Sequence, residues 1–590
     1  MLKLSGPVPV LLGHRRLSIV DLTDGGRQPM TRGDLTIVFN GEIYNHIELR
    51  EQLRQKGVKF QSSSDTEVLL AAFQVWGVGC LQRLNGMWAF AIWDQSQGRL
   101  FLSRDRFGEK PLFYSFQPGR FLFGSEMKAL IPLMEAARPS AAFQRCVENQ
   151  FGYEATGDCL IEGICRLPAG CFAIATTDDL ARGRLPVQRY WETLQELVDV
   201  PEHYEDQVQE FRRLFFDSCR IRMRADVPIG TALSGGLDSA SVACAMRSVA
   251  GSDPSAAPAW QSAFVATFPG SPLDESVYAA AVIEKTGITG RYLPIDPVGG
   301  LSRLERYLYL FEEVYISNPV PFMDIYRLVA DNGVRVTLDG HGGDELLSGY
   351  GGFLTAMNDA FANPWYMRHV LECWTGRRPG VLAVTRQMVE LHKGGRGVLK
   401  FLRGRLTQLK TRCRENLRDR QLGWFNQELY RCFHQTILPT LLRNYDRYAM
   451  SAGVEIRMPF LDHRLVRFCF SLPWQSKIPR SSTYTKAILR DAMGDLLPDL
   501  VRFRRSKVGF TSPLAAWMKG PWRQYMLDHV QSRSFLECSL VTDPAGTRDS
   551  LLELLNTDVE VPQHHAERIW GQLTPWFWET FFLKPALNCT

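Results

Sequence analysis

Nothing in this chain of 590 residues approaches the run of ~20 apolar residues that a membrane-spanning helix needs, so an integral membrane protein is not expected. The first sixteen residues place Pro7 and Pro9 inside their one apolar stretch and have no basic lead into a small-residue cleavage site, which argues against a signal peptide. A net charge of only +5 lacks the concentrated basic field of a dedicated nucleic-acid binder. The 13 cysteines form no Cys-x-x-Cys pair and have no histidines at zinc spacing. Buried thiols in a reducing, cytoplasmic compartment are therefore expected. Convincing internal repeats and low-complexity segments are missing too.

What is present is an ordinary globular composition, 45% hydrophobic and 22% charged, over a length that suits roughly two to four domains. From Leu12 to about Trp191, short β-like runs alternate with turns: Leu35–Phe39, Trp88–Trp93, Leu100–Ser103 and Phe121–Phe123. Helical spacing appears at Ile47–Lys56 and Thr66–Trp76. This texture predicts an α+β layered domain. From Tyr204 the texture changes. A helix over Tyr204–Met223 leads to an apolar strand ending in a glycine loop, then a helix over Ala240–Val249. The strand Gln261–Thr267, the helix Glu275–Thr286 and the strand Val334–Leu338 follow, the last again ending in glycines. Strand, loop and helix in this order predict a parallel sheet with ligands at the strand C-termini. Beyond Phe353 the pattern is mainly helical. The stretch Lys393–Arg420 is rich in Lys and Arg, read as a solvated helical face because stacking aromatics do not interleave there.

The chemistry concentrates in Ser234-Gly235-Gly236-Leu237-Asp238-Ser239. Adjacent glycines let the backbone turn tightly and offer amide hydrogens to an anion. Ser234 and Ser239 add hydroxyls, and the helix that follows aims its positive end at the same place. Asp238 in a phosphate cradle is repulsive until a divalent cation joins it to phosphate oxygens. The Walker pattern is different, needing Gly-x-x-x-x-Gly-Lys-Ser/Thr. By itself the hexapeptide is equally a capped glycine turn.

Further blocks accompany it in order: Asp339-Gly340-His341-Gly342-Gly343-Asp344-Glu345, Asp446-Arg447 through Met450, Glu455-Ile456-Arg457-Met458-Pro459-Phe460-Leu461-Asp462, Tyr484-Thr485-Lys486 with Ile488-Leu489-Arg490, and Lys507-Val508-Gly509-Phe510. Nearer the start stand Gly13-His14-Arg15-Arg16-Leu17-Ser18-Ile19, Asn40-Gly41-Glu42-Ile43-Tyr44-Asn45, Ser64-Asp65-Thr66-Glu67 and Arg104-Asp105-Arg106-Phe107-Gly108. On these blocks the chain resembles the class B, glutamine-dependent asparagine synthetases over nearly its whole length. The exceptions are the 360–435 region and the last few dozen residues. The resemblance implies an Ntn-type glutaminase domain of sandwiched sheets and helices over 1–195, N-terminally short. Over 196–590 it implies an α/β PP-loop ATP-pyrophosphatase domain with a parallel sheet, a helical C-terminal part and a basic helical insertion at about 360–435.

Carried over block by block, the resemblance implies that Leu233, Ser234, Gly235, Gly236, Asp238, Ser239, Asp339 and Gly340 bind ATP, with Val265 and Thr267 flanking the adenine or ribose. Asp238 and Asp344 are the implied Mg²⁺ carboxylates, and Lys486 the cation aimed at the charge developing on phosphate. The implied reaction is attack of a carboxylate on the α-phosphate, giving an acyl-adenylate from which ammonia displaces AMP. Many relatives carry a glutamate where this chain has His341. An imidazole can also accept a proton near neutral pH; either His341 takes over that task or the task lies elsewhere. Arg457 and Asp462 read as structural. Implied for glutamine are Arg16 and Asp65 toward its carboxylate and ammonium, Asn40 and the Gly41 amide as an oxyanion hole, and Glu42 beside them.

The family's nucleophile is a cysteine directly after the initiator methionine. Here Leu2 follows Met1 and the first cysteine is Cys80. We read this as a start codon placed too far downstream in preference to a truncation. Nitrogen then comes from glutamine if the true N-terminus carries cysteine, and from ammonia as written. Aspartate is the acceptor the resemblance favours, although Glu313–Pro319 does not resemble the aspartate-recognising stretch. The alternatives are a paralogue amidating a sugar uronic acid or closing a peptide macrolactam, and a catalytically silent regulator. Retention of Asp238, Asp344 and Lys486 together speaks against the last. Expected partners are small molecules, with no nucleic acid or membrane, and the resemblance implies a homodimer.

Overall fold

Side chains alternate across a β-strand, and in the N-terminal half that alternation fills two cores. The strands Leu35–Ile43 and Gly86–Asp94 pair antiparallel along their length inside a six-stranded sheet. Ile37, Phe39, Trp88, Phe90 and Ile92 face the helices His46–Arg54 and Asp65–Trp76, meeting Leu49, Leu53, Val68 and Leu69. The intervening Val38, Ala89, Ala91 and Trp93 face the other way, where Phe121 and Phe123 of a three-stranded sheet pack. Because both faces are covered, the strand reads as nearly continuous apolar sequence. The apolar run Leu35–Phe39 covers only the first part of one of these strands. In the computed structural model, which describes residues 1–4, 9–250, 262–349, 422–478, 485–504 and 509–587, the strand continues to Ile43 with Gly41 opposite Trp88. A Cβ on Gly41 would lie 2.1 Å from the Met87 carbonyl oxygen, so glycine serves close approach of two backbones here.

The second half is built on five parallel strands: β1 (Ile229–Ala232), β2 (Ser262–Thr267), β3 (Thr289–Pro294), β4 (Val336–Leu338) and β5 (Glu455–Arg457). Their spatial order is β3-β2-β1-β4-β5. The chain first winds outward from β1 in one direction and then returns to its other side. Such a reversal opens a crevice at the strand C-termini, here between β1 and β4. Helix α1 (Leu237–Ala250) follows β1, α2 (Ser276–Thr286) joins β2 to β3, α3 (Val320–Asp331) precedes β4, and α4 (Ile437–Met450) precedes β5. A helical C-terminal part follows, its core formed by Trp517, Trp522, Trp570 and Trp576 among others. Thus the α+β half followed by an α/β half with a parallel sheet is as expected. Strands β3 and β5 escaped sequence reasoning; β3 is an exposed edge and β5 has three residues, so neither carries a clear periodic signal.

The two halves meet through buried charge. The Arg222 guanidinium lies 3.1 Å from Asp462, whose carboxylate also accepts from Asn85 Nδ2 at 2.9 Å. Lys110 Nζ is 3.1 Å from Asp446, and Arg457 lies between Glu42 (3.5 Å) and Glu455 (2.9 Å). Each pair satisfies charges that water no longer reaches. Arg457 and Asp462 are thus interface anchors. Of the expected 360–435 insertion, residues 360–421 lie outside the described residues. The helix Trp424–His434 puts Phe425, Leu429 and Phe433 into the main core.

Candidate active site

The crevice between β1 and β4 is a cleft of about 440 Å³. Its floor is two glycine loops that interlock. Gly235 has φ +78, and a Cβ there would meet the Glu275 carbonyl oxygen at 2.8 Å, so the turn after β1 tolerates only glycine. A Cβ on Gly340 would fall 2.7 Å from the Asp238 carbonyl carbon and the Ser239 nitrogen, and one on Gly343 would fall 2.7 Å from the Asp238 carboxylate. The loop after β4 therefore presses its backbone directly onto the start of α1. Ser234 Oγ lies 3.1 Å from Ser239 Oγ and accepts from the Gly236 amide at 3.3 Å, which fixes the turn.

Asp238, from the loop after β1, and Asp344, from the loop after β4, converge on one cation. Lys486 Nζ donates to Asp238 Oδ2 at 2.5 Å and also to Asp344 Oδ1. Lys486 adopts φ 55, a left-handed conformation that costs a non-glycine residue about 1 kcal/mol or more and is typical of functional positions. It sits immediately before the helix Ala487–Met493, whose first amide donates to the Lys477 carbonyl at 3.0 Å. Tyr484, Lys507 and Val508 of the expected blocks lie outside the described residues.

Leu233, Ser234, Gly236, Asp238, Ser239, Asp339, Gly340, His341 and Asp344 all line the cleft. Asp339 accepts from the Ala232 amide at 3.0 Å and from the Tyr326 hydroxyl at 2.7 Å, which ties β4 to β1 beneath the loops. Burial raises its carboxyl to about 6. His341 packs against Tyr445 with ring centroids 3.8 Å apart and ring planes tilted by 46°. Val265 and Thr267 are not among the cleft residues; Phe264 and Ala266 are. Successive side chains point to opposite sides of a sheet, so Phe264 and Ala266 share the face of β2 that meets the cleft.

Sequence reasoning also missed Glu345, which lines the cleft and is pushed up to about 8 by burial and then by the neighbouring Asp344. Lys477 was missed as well. It is fully buried, donates to Asn426 Oδ1 at 2.7 Å, and burial lowers its ammonium to about 8. Its position just before the Lys486 segment was the available clue.

The residues expected to hold glutamine lie together elsewhere. Arg16, Asn40, Gly41, Glu42 and Asp65 line a pocket of about 60 Å³ in the N-terminal half, joined by Lys110, Met450 and Glu455. The Arg16 guanidinium donates to the carbonyls of Val20 (2.8 Å), Asp21 (2.5 Å) and Thr23 (3.1 Å). Asp65 accepts from the Ile43 amide at 2.9 Å. Burial, and then the charge of Asp65, holds the Glu42 carboxyl well above the usual range. No cysteine is among the residues lining this pocket. A smaller void of about 10 Å³ shares Lys110 and Met450 with it and is also lined by Asp446 and Ala449 of α4.

Comparison with known proteins gives two family models. The glutamine amidotransferase domain model matches residues 5–191, and the asparagine synthase model matches residues 210–580. Asparagine synthetase [glutamine-hydrolyzing] 3 of Bacillus subtilis is 30% identical, over 86% of this chain and 82% of its own length. Asparagine synthetase [glutamine-hydrolyzing] 1 of the same organism is 28% identical over 97% and 90%. Amidase chry2 of Gibberella zeae is 26% identical over 92% and 86%. Among the described residues no helix is long and apolar enough to cross a membrane.

Proposed function

The chain belongs to the asparagine synthase family, and from that premise we propose that it couples ATP cleavage at the α-phosphate to amidation of a carboxylic acid. The observation that carries the proposal is the convergence of Asp238, Asp344 and Lys486 above the Ser234–Ser239 turn. Main-chain amides of that turn and the positive end of α1 receive the β- and γ-phosphates, and the Ser234 and Ser239 hydroxyls donate to the same oxygens. Two carboxylates that already share one cation suit Mg²⁺, which takes one or two carboxylates plus phosphate oxygens. Bound there, Mg²⁺ would neutralise phosphate charge. Lys486 is then free to turn toward the phosphate, where its charge lowers the barrier as negative charge grows.

In the first step a carboxylate oxygen of the acceptor attacks the α-phosphorus. The bond from that phosphorus to the bridging oxygen breaks, and pyrophosphate leaves. In the second step ammonia attacks the acyl carbon, the bond to AMP breaks, and the nitrogen loses a proton. We assign that proton to His341, whose imidazole lines the cleft and can accept one near neutral pH. Nitrogen would enter from the N-terminal half, as ammonia or from glutamine. Support comes from the shared lining of its pocket and the 10 Å³ void, which leads to the helix α4 that also walls the cleft. We place the change from one domain to the other near residue 195. Pyrophosphate release, measured with ATP, Mg²⁺, ammonium and a set of carboxylic acids, should appear together with AMP and the amide. Absence of release with every acid would refute the proposal.

A further inference from the structure

The far wall of the cleft bears on which acid is activated. It is made of Phe151, Tyr315, Ile437, Leu441 and Tyr445, all half-buried and all cleft-lining. The last three lie at four-residue intervals on α4 and so form one stripe of that helix. Phe151 comes from the N-terminal half, and its ring meets Tyr315 edge-on with centroids 5.6 Å apart. Tyr445 contacts His341 on one side and Phe322 on the other, with centroids 3.8 and 5.7 Å away. Phe322 in turn meets Phe510 at 5.0 Å. An aromatic and aliphatic surface therefore runs from the N-terminal half up to the edge of the phosphate loops.

The carboxyl side chains of the cleft are Asp238, Asp339, Asp344 and Glu345, and among the described residues its lining holds no Arg or Lys. Lys486 is engaged by Asp238 and Asp344. Aspartate would bring a second carboxylate and an ammonium against this wall, and charges taken from water against rings are costly unless paired. An acid with an apolar body gains instead, because it and the wall both lose water-exposed apolar surface.

We propose that the acceptor is a monocarboxylic acid with an aromatic or branched aliphatic body, seated against the α4 stripe with its carboxylate at the His341 end. This rests on the amide-forming reading above. The test measures pyrophosphate release with ATP, Mg²⁺ and ammonium for 3-phenylpropanoate, 4-methylpentanoate, L-aspartate and D-galacturonate. At least one of the two apolar acids is expected to exceed aspartate and galacturonate by about tenfold or more in kcat/KM. Leu441→Asp should raise KM for the better apolar acid about tenfold, with kcat changed less than about threefold, whereas Leu441→Ala should raise KM only a fewfold. Thermal denaturation of both variants checks that they fold. Aspartate or galacturonate equal to or better than the apolar acids overturns the inference and leaves amide formation standing. An unchanged KM in both folded variants also overturns it. Release with none of the four acids overturns both readings.

Discussion

The N-terminal pocket and the cleft are built from similar residue types, and they differ in how those residues are held. In the N-terminal pocket, Arg16 is engaged by three main-chain carbonyls, Asp65 by a main-chain amide, and about 60 Å³ remains between them. In the cleft, the carboxylates of Asp238 and Asp344 come from two loops and meet on one lysine, beside a space of about 440 Å³. Hydrogen bonds to main chain make a rigid wall. Carboxylates gathered on a replaceable cation make a site that can exchange partners. The same side-chain chemistry is thus held by main chain in one half and gathered on a lysine in the other.

The sharpest way to break this contrast is to remove the shared cation. Lys486→Ala should lower the rate of pyrophosphate release about 10³-fold, and the denaturation midpoint should fall as well, since the buried carboxylates of Asp238 and Asp344 lose the cation they share. A variant with more than a tenth of the normal rate would remove Lys486 from the chemistry. At the anchor between the halves the expected loss is one of stability. Arg457→Met leaves Glu42 and Glu455 buried without their partner and should cost about 3 kcal/mol or more of stability in urea denaturation. A loss below about 1 kcal/mol would show that the interface relaxes around the gap.

The third test uses pH. The Lys477 ammonium is lowered from its ordinary 10.5 to about 8 by burial, so the unfolded chain holds a proton that the folded chain gives up between those values. Stability contributed by this group therefore rises with pH from about 8 to 10.5 and is lost as pH falls through that window. Below it, Lys477→Met should be more stable than the parent by about 2 kcal/mol, allowing for the lost bond to Asn426. The gap should close about 1.5 pH units above 8, since each unit is worth about 1.4 kcal/mol. A difference that is constant with pH would mean that the ammonium is not destabilised by burial. The smallest effect is expected at Arg16. Arg16→Ala should leave ammonia-dependent pyrophosphate release within about twofold, because its bonds stay within the 16–23 turn. A tenfold fall would mean that this turn supports the cleft from a distance.

What the sequence made legible follows from how locally each feature is encoded. The Ser234–Ser239 turn was readable because its glycines, hydroxyls and following helix are contiguous. Helices Asp65–Trp76 and Ser276–Thr286 lie within one residue of their expected starts, since a helical period over eleven or twelve residues is a strong signal. The face of β2 was not readable, because a six-residue strand buried on both sides has no polar phase to mark which residues point where. Nor was the apolar wall of the cleft. Phe151, Tyr315 and Tyr445 come from three distant segments, and only the stripe on α4 has a spacing that could have announced it. Glu345 was in plain view inside a quoted block, but its raised carboxyl depends on burial and on Asp344 in three dimensions.

The interlocked glycine loops carry one further consequence. Gly340 and Gly343 leave no room between the loop after β4 and the residues Asp238 and Ser239. Neither loop can therefore be redesigned or transplanted alone. Substitutions in one will have effects that depend on the residue present in the other, and combined changes at 238–239 and 340–343 should depart from the sum of single changes. For protein engineering, and for divergence within a lineage, the inherited unit is the matched pair of loops.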